Sequence, residues 1–380
     1  MSTPFLLAGY PDRFPGVYHR IRFLCGDMTV FLDLGAGRTH LIVRNIELPR
    51  AKKAGRAKHI WCPEDLAPTG GLSSDRDTSF AQATAELLVR EEIEQIDGDY
   101  MLPLLFVNVL QRRGITVRLD PDLGRVDRRM KDAWEVEQLR ASQQHTEAAI
   151  RYAYDTIAAA RVIDGVLNHE GEALTADRLR SMIAIFLLER GLSNPNDCIV
   201  APGIIGADCH HRGTGPLRID EPIIIDVFPM HTMTRYWGDC TRTLLRGEPN
   251  PLFMRMHEHV VEAKTAAIAA CRAGRTGAAV HQAVLDVFNR EGYHIGMPPD
   301  DAPDDLVFYP HGTGHGIGLE CHEPPILDSL CGDLYNGDAL TIEPGLYCKA
   351  LGGVRVEDMV IARPDGCENL NELPEGLWWG

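Results

Sequence analysis

Short apolar runs separated by polar turns open the chain, and longer runs with helical spacing follow them. Thr29 to Asp33 and Thr39 to Val43 are β-like stretches on either side of Gly35-Ala36-Gly37, a hairpin pattern. Between Thr84 and Ile96 the apolar residues Ala85, Leu88, Val89 and Ile93 recur at helical intervals, which predicts a helix. Ile115 to Leu119 predicts a further strand, with Pro121 and Gly124 punctuating its end. This pattern predicts a small α/β domain over residues 1–127.

After the basic stretch Arg125 to Lys131 the texture changes, and a second α/β domain is expected over residues 128–380. Asp132 to Arg161 reads as one long helix with Trp134, Leu139 and Ile150 among its apolar positions. Thr175 can cap a second helix that runs to Arg190 and stops at Gly191. Pro251 to Arg272 and Thr276 to Gly292 predict two more. Compact strands are expected at Ile223 to Ile225, Thr241 to Leu245, Ala339 to Ile342 and Val354 to Ile361.

Composition narrows the function classes. A length of 380 residues suits two domains, and 44% hydrophobic residues suffice for sizeable cores. The net charge of −16, from 54 acidic against 38 basic residues, repels a phosphate backbone and argues against nucleic acid. Arg50 to Lys58, with two Arg and three Lys, reads as a solvated helix face. Met1 to Tyr10 has no basic region ahead of its apolar stretch and does not read as a signal peptide. The longest apolar stretches, Met101 to Leu110 and Met182 to Leu188, fall short of the roughly 20 residues a membrane span needs. Ten scattered cysteines without CxxC pairs read as reduced thiols, so a cytoplasmic protein is expected.

One internal similarity carries chemistry. Ile223 to Asp226 and Leu340 to Glu343 are both apolar strands that end on a carboxylate. Each is followed by another acid, Asp239 after 13 residues and Glu357 after 14. Each acid taken singly reads as exposed at its turn. Taken together, four converging acids at buried strand ends would repel one another unless cations lay between them.

The segment His311 to Glu323 adds three histidines within 12 residues, His311, His315 and His322, beside four glycines. Ile317 stands where a GxGxxG loop needs glycine, and HExxH is absent, so a phosphate loop and a helical zinc motif are both disfavoured. Four carboxylates and a neutral imidazole balance two divalent cations. Oxygen-rich ligation suits Mn²⁺, Co²⁺ or Zn²⁺, and the thiolate set of structural zinc is missing. Two such ions, ~3.5–4 Å apart, would acidify a shared water and polarise a carbonyl, which is hydrolytic chemistry.

At this point the motifs resemble a known family. Asp226 within Ile-Asp-Val-Phe-Pro, Asp239 within Gly-Asp-Cys-Thr-Arg-Thr, the His311–Glu323 segment, Glu343-Pro-Gly and Arg355-Val-Glu357-Asp are similar to those of the M24 metallopeptidases. The match covers roughly residues 128–380, and the domain before it resembles that of the creatinase, prolidase and aminopeptidase P branch. The resemblance implies a pita-bread α/β fold with pseudo-twofold symmetry. It implies metal ligands at Asp226, Asp239, His315, Glu343 and Glu357, with Mn²⁺ the first choice. It further implies that a metal-bridging hydroxide attacks the Xaa-Pro bond, either at peptide amino termini or in dipeptides. Glu343 would shuttle the proton and His322 would steady the intermediate. His311 would either support the ligands from behind or stand on the substrate side, Arg355 would orient a ligand carboxylate, and His210 would match an upstream active-site histidine, the neighbouring His211 leaving that match ambiguous by one residue. The implied partners are a peptide with proline second and a second copy of the chain, with no nucleic acid and no membrane.

Three departures from the family pattern stand out. The Asp226–Asp239 interval is two residues longer than usual, which predicts an enlarged turn at Met230 to Tyr236. Cys321 replaces the usual Val or Ile, and the His210-His211 pair is the third. Other readings are another M24 amide hydrolase (methionine aminopeptidase-like or creatinase-like) and an inactive pita-bread binding protein. The intact ligand set argues against a creatinase-like metal-free site and against an inactive one.

Overall fold

In a computed structural model, which describes residues 3–379, the chain divides into two compact units, Met1–Arg128 and Arg129–Gly380. Met1 and Ser2, which begin the segment considered as a leader, lie outside the described residues, as does Gly380. None of the described helices is long and apolar enough to cross a membrane.

The first unit is a six-stranded sheet with helices. Strands β1 (Phe5–Gly9), β2 (Thr29–Asp33), β3 (Thr39–Ile42), β4 (His59–Trp61), β5 (Gln95–Gly98) and β6 (Thr116–Leu119) lie in the order β4-β3-β2-β1-β5-β6. Helices α1 (Pro15–Ile21), α2 (Leu48–Ala54), α3 (Arg76–Arg90) and α4 (Leu104–Arg112) complete it. The helix expected over Thr84 to Ile96 is displaced. It begins earlier because the Asp75 carboxylate caps it by accepting from Thr78 N at 2.9 Å. It ends at Arg90, since Glu92 takes a left-handed φ of 56° and Ile96 belongs to β5. Apolar periodicity alone could not separate the helix end from the strand behind it.

The second unit holds two similar halves. In the first, α5 (Ala133–Ala159) and α6 (Ala176–Leu188) pack on an antiparallel sheet of Ile199–Pro202, Pro222–Val227 and Cys240–Leu245. In the second, α7 (Pro251–Ala270) and α8 (Gly277–Arg290) pack on a five-stranded sheet. Its order is Glu323–Leu327, Gly314–Gly316, Ala339–Ile342, Asp358–Arg363, Gly366–Asn369. All four helices start on a side chain that accepts from the first-turn backbone: Asp132, Thr175, Asn250 and Thr276. Asp132 and Glu135 form a reciprocal capping box. Trp379 stacks on Tyr154 of α5, with ring centroids 4.6 Å apart, so it packs on its own unit.

Strand alternation places the acids. Ile223, Ile224 and Ile225 are all buried, each contributing roughly 1.5–3 kcal/mol of apolar transfer. Ile223 and Ile225 face the α5–α6 core, while Ile224 faces Phe308 and Tyr347. Asp226, two residues on, therefore shares the Ile224 side, away from the helices. In the second half Leu340 and Ile342 enter the α7–α8 core, so Thr341 and Glu343 face the opposite way. The single strand expected over Val354 to Ile361 is two strands, Gly352–Arg355 and Asp358–Arg363. Glu357 sits in the break, its backbone N–H donating to Thr241 O at 3.1 Å across to the other half.

Candidate metal centre

The four strand-end acids and His315 converge at the floor of a cavity of about 420 Å³, within the range of small-ligand sites. Asp226, Asp239 and Glu357 are buried, and the Glu343 side chain keeps 21% exposure toward the cavity. Ligand atoms of Asp239, His315 and Glu357 all lie within 4.8 Å of one another. His315 Nε2 is 3.8 Å from Asp239 Oδ2 and 3.4 Å from Glu343 Oε1. Its Nδ1 lies 3.1 Å from Gly316 O, so the proton sits on Nδ1 and the Nε2 lone pair faces the acids.

Local structure holds each acid in place. Gln143 of α5 brackets the Asp239 backbone, its Nε2 donating to Asp239 O at 2.7 Å while Asp239 N donates to its Oε1 at 2.8 Å. Thr241 Oγ1 donates to Glu357 Oε2 at 2.7 Å, and Thr341 Oγ1 lies 3.3 Å from Glu343 Oε1. Gly314 lets the histidine strand approach its neighbour: a Cβ there would lie 2.0 Å from Thr341 O.

Arg355 is buried and reaches across to the first half, its Nη2 2.6 Å from Asp226 Oδ2. Its Nη1 donates to Tyr347 Oη at 2.9 Å, and Tyr347 Oη lies 2.9 Å from His311 Nε2. His311 Nδ1 lies 2.8 Å from Gly312 O, so Nε2 accepts from the phenol. Arg355 thus donates both ways, to Asp226 on one side and to Tyr347 on the other, and Tyr347 passes the chain on to His311. His322 is exposed in the cavity, its ring centroid 4.2 Å from that of His315. His210 lines the cavity, whereas His211 turns its Nδ1 to Gly213 N at 2.9 Å. Cys321 Sγ lies 3.8 Å from Asp239 Oδ2.

Asp226, Asp239, Glu343, Glu357, His210, His311, His315, His322 and Arg355 thus line one cavity. Tyr347, Gln143, Thr241 and Thr341 were not legible beforehand. Gln143 is one of several polar residues on the buried face of its helix, with Glu135, Ser142, Thr146 and Thr156, so nothing in the pattern singles it out.

Charge decides what the floor can do. Burial, reinforced by Glu357, Asp226 and Glu343, pushes the Asp239 carboxyl well above the usual range. Burial, with Glu343 and Asp226, does the same to Glu357, and burial raises Glu343 to about 7 despite Arg355. Burial lowers His315 and His322, and brings His311 to about 4, keeping these imidazoles neutral. Asp226 Oδ1 is buried with no hydrogen-bond partner among the described residues. One guanidinium cannot compensate four acids. An unpartnered carboxylate oxygen, mutually repelling acids and a neutral imidazole aimed at them fit divalent cations.

Residues 137–364 match the profile of metallopeptidase family M24. The chain belongs to that family. Among M24 relatives, the "Probable dipeptidase PepE" of Mycobacterium tuberculosis is 31% identical over 283 residues, 73% of this chain and 66% of that protein. The Xaa-Pro dipeptidase of Pyrococcus furiosus is 31% identical over 184 residues, 48% of this chain and 49% of that one. This M24 chain therefore spans about half to two-thirds of the length of these curated relatives. An X-Pro aminopeptidase structure from Thermotoga maritima superposes with a TM-score of 0.79, covering 99% of this chain and 97% of that one at 21% identity. The fold is the pita-bread fold, and M24 membership implies divalent metal at a site of this kind.

Proposed function

We propose that this chain is a dinuclear metal-dependent exopeptidase that hydrolyses the bond before proline, in dipeptides or at peptide amino termini. The observation carrying the reading is the convergence of Asp226, Asp239, His315, Glu343 and Glu357 on the floor of one peptide-sized cavity in an M24 chain. The proline preference is taken from relatives named Xaa-Pro dipeptidase and X-Pro aminopeptidase. Asp226 would hold one ion, His315 and Glu343 the other, with Asp239 and Glu357 shared between them. Two divalent ions, when bound, supply the positive charge that activates water and polarises the scissile amide.

The chain's own side chains do the rest. Glu343, partly open to the cavity, takes the water proton and returns it to the leaving nitrogen. His322, exposed beside His315, donates to the developing oxyanion. Arg355 fixes the Asp226 rotamer, and Tyr347 fixes Arg355 and His311 together. His210 and His311 line the cavity and would meet the substrate there. The reading extends, on the family resemblance, to manganese as the metal and a homodimer as the assembly. A cytoplasmic location is supported by ten cysteines, all free of disulfides.

The test is a peptide panel against the purified, manganese-loaded protein, comparing Xaa-Pro dipeptides, longer Xaa-Pro peptides and Met-Ala peptides. Cleavage before proline, abolished by chelator, is expected. Cleavage of Met-Ala peptides alone, or full activity in chelator, would contradict the reading.

A further inference from the structure

The cavity has opposite electrical character at its two ends. Its four carboxylates all belong to the floor. The exposed residues along its lining are Asn196, His210, Arg212, His322 and Ile326, and none is acidic. Arg212 supplies the formal positive charge at that rim.

The backbone that carries Arg212 is fixed while its guanidinium stays free. Arg212 O accepts from Val200 N at 3.0 Å and from Arg180 Nη1 at 2.8 Å. Gly213 adopts a left-handed φ of 85°, and a Cβ there would lie 1.6 Å from Val200 O, so the loop is pressed onto its neighbouring strand. The nearby acids are already engaged: Arg180 pairs with Asp177 at 2.7 Å and with Asp197 at 3.2 Å. Arg212 itself makes no ion pair among the described residues. The other guanidinium lining the cavity, Arg355, is committed to Asp226 and Tyr347 and is buried. Arg212 is therefore the guanidinium left for a ligand.

We propose that Arg212 is a specificity-determining residue that receives the α-carboxylate of a short peptide whose scissile amide lies over the acidic floor. The site then selects dipeptides with a free carboxyl terminus over amidated or longer peptides. This rests on the peptidase reading above. With the floor's acids balanced by bound cations, the exposed Arg212 guanidinium is the formal positive charge left at the rim, and it orients a peptide by attracting its carboxylate. A guanidinium matches a carboxylate through two parallel hydrogen bonds, and exposure at the rim makes the attraction weaken with salt.

The experiment compares Ala-Pro with Ala-Pro-amide and Ala-Pro-Ala, and Ala-Ala with Ala-Ala-amide, on manganese-loaded wild type, Arg212→Ala and Arg212→Lys. Wild type is expected to favour the free acid over the amide by about tenfold or more in kcat/KM, expressed mainly in KM. Arg212→Ala brings that ratio near one, and Arg212→Lys falls between. A merely structural role for Arg212 would lower acid and amide alike and leave the ratio intact. A wild-type ratio near one, or a ratio unchanged in Arg212→Ala, overturns the proposal. If only non-proline dipeptides are cleaved, with the same acid preference, the Xaa-Pro reading fails and the Arg212 assignment stands. If nothing is cleaved, calorimetric binding of Ala-Pro and its amide decides: tighter acid binding lost in Arg212→Ala supports the assignment, and equal affinities refute it.

Discussion

Glu357 and Asp358 are neighbours, both about 2% exposed, and they meet opposite environments. Asp358 turns toward the α7–α8 side and pairs with Arg242 at 2.8 Å and with Lys264 of α7. Burial penalises its charge, but those two cations outweigh burial and hold its carboxyl below the usual range. Glu357 turns the other way and meets Asp239, Asp226 and Glu343, so burial and repulsion act together. Asp99, in the first unit, is an intermediate case, raised to about 6 by burial despite the Met101 and Leu102 amides and Arg128. Glu357 and Asp358 are buried and Asp99 is partly so. What differs is the company, and only the Glu357 surroundings lack the positive charge their acids require.

The largest expected effect separates the neighbours. Glu357→Gln should lower activity by at least about a thousandfold, equal to ~4 kcal/mol of transition-state stabilisation, with the metal-free melting temperature at or above wild type. Asp358→Ala should instead destabilise the second unit by about 3–5 kcal/mol, because Arg242 and Lys264 would be left buried without it. Thermal melts beside rate measurements check both; equal loss of stability in the two variants would erase the distinction. Chelation comes next. Wild-type protein with manganese at about 100 times its dissociation constant should be more stable than apo protein by about 2.7 kcal/mol for each ion bound, and Glu357→Gln should lose the share of at least one ion.

How much of this was legible in the chain depends on separation. The four acids could be found because each ends or adjoins an apolar run, and His315 because it sits in a dense glycine-histidine segment. Their partners could not. Gln143 lies 96 residues from Asp239, and Tyr347 lies 36 from His311, so only the folded topology joins them. The break at Glu357 was invisible for a related reason: Val354 to Ile361 is apolar throughout except at its charged positions, and alternation cannot reveal a kink between two sheets. Arg212 gave no sequence signal, since its importance comes from Arg180 engaging the neighbouring acids.

Smaller effects sharpen the comparison. Tyr347→Phe removes the phenol between Arg355 and His311 and should cost about 10–100-fold in kcat/KM, with metal content measured by elemental analysis unchanged. Asp99→Asn tests burial without clustered acids. The folded Asp99 keeps its proton up to about pH 6 while the unfolded chain loses it near the ordinary aspartate value, so its contribution to stability falls as pH rises between them. Asp99→Asn should therefore stabilise the first unit at pH 7–8 by on the order of 1 kcal/mol and change little near pH 4. Denaturant melts at the two pH values check the sign.

The central claim is that the acidic floor is built around divalent cations. Calorimetric titration of Mn²⁺ into metal-free protein tests it most directly, with Glu357→Gln beside wild type. Two ions per chain in wild type, with at least one lost in Glu357→Gln, is the predicted result. No saturable binding in wild type, or identical binding in the variant, would contradict it.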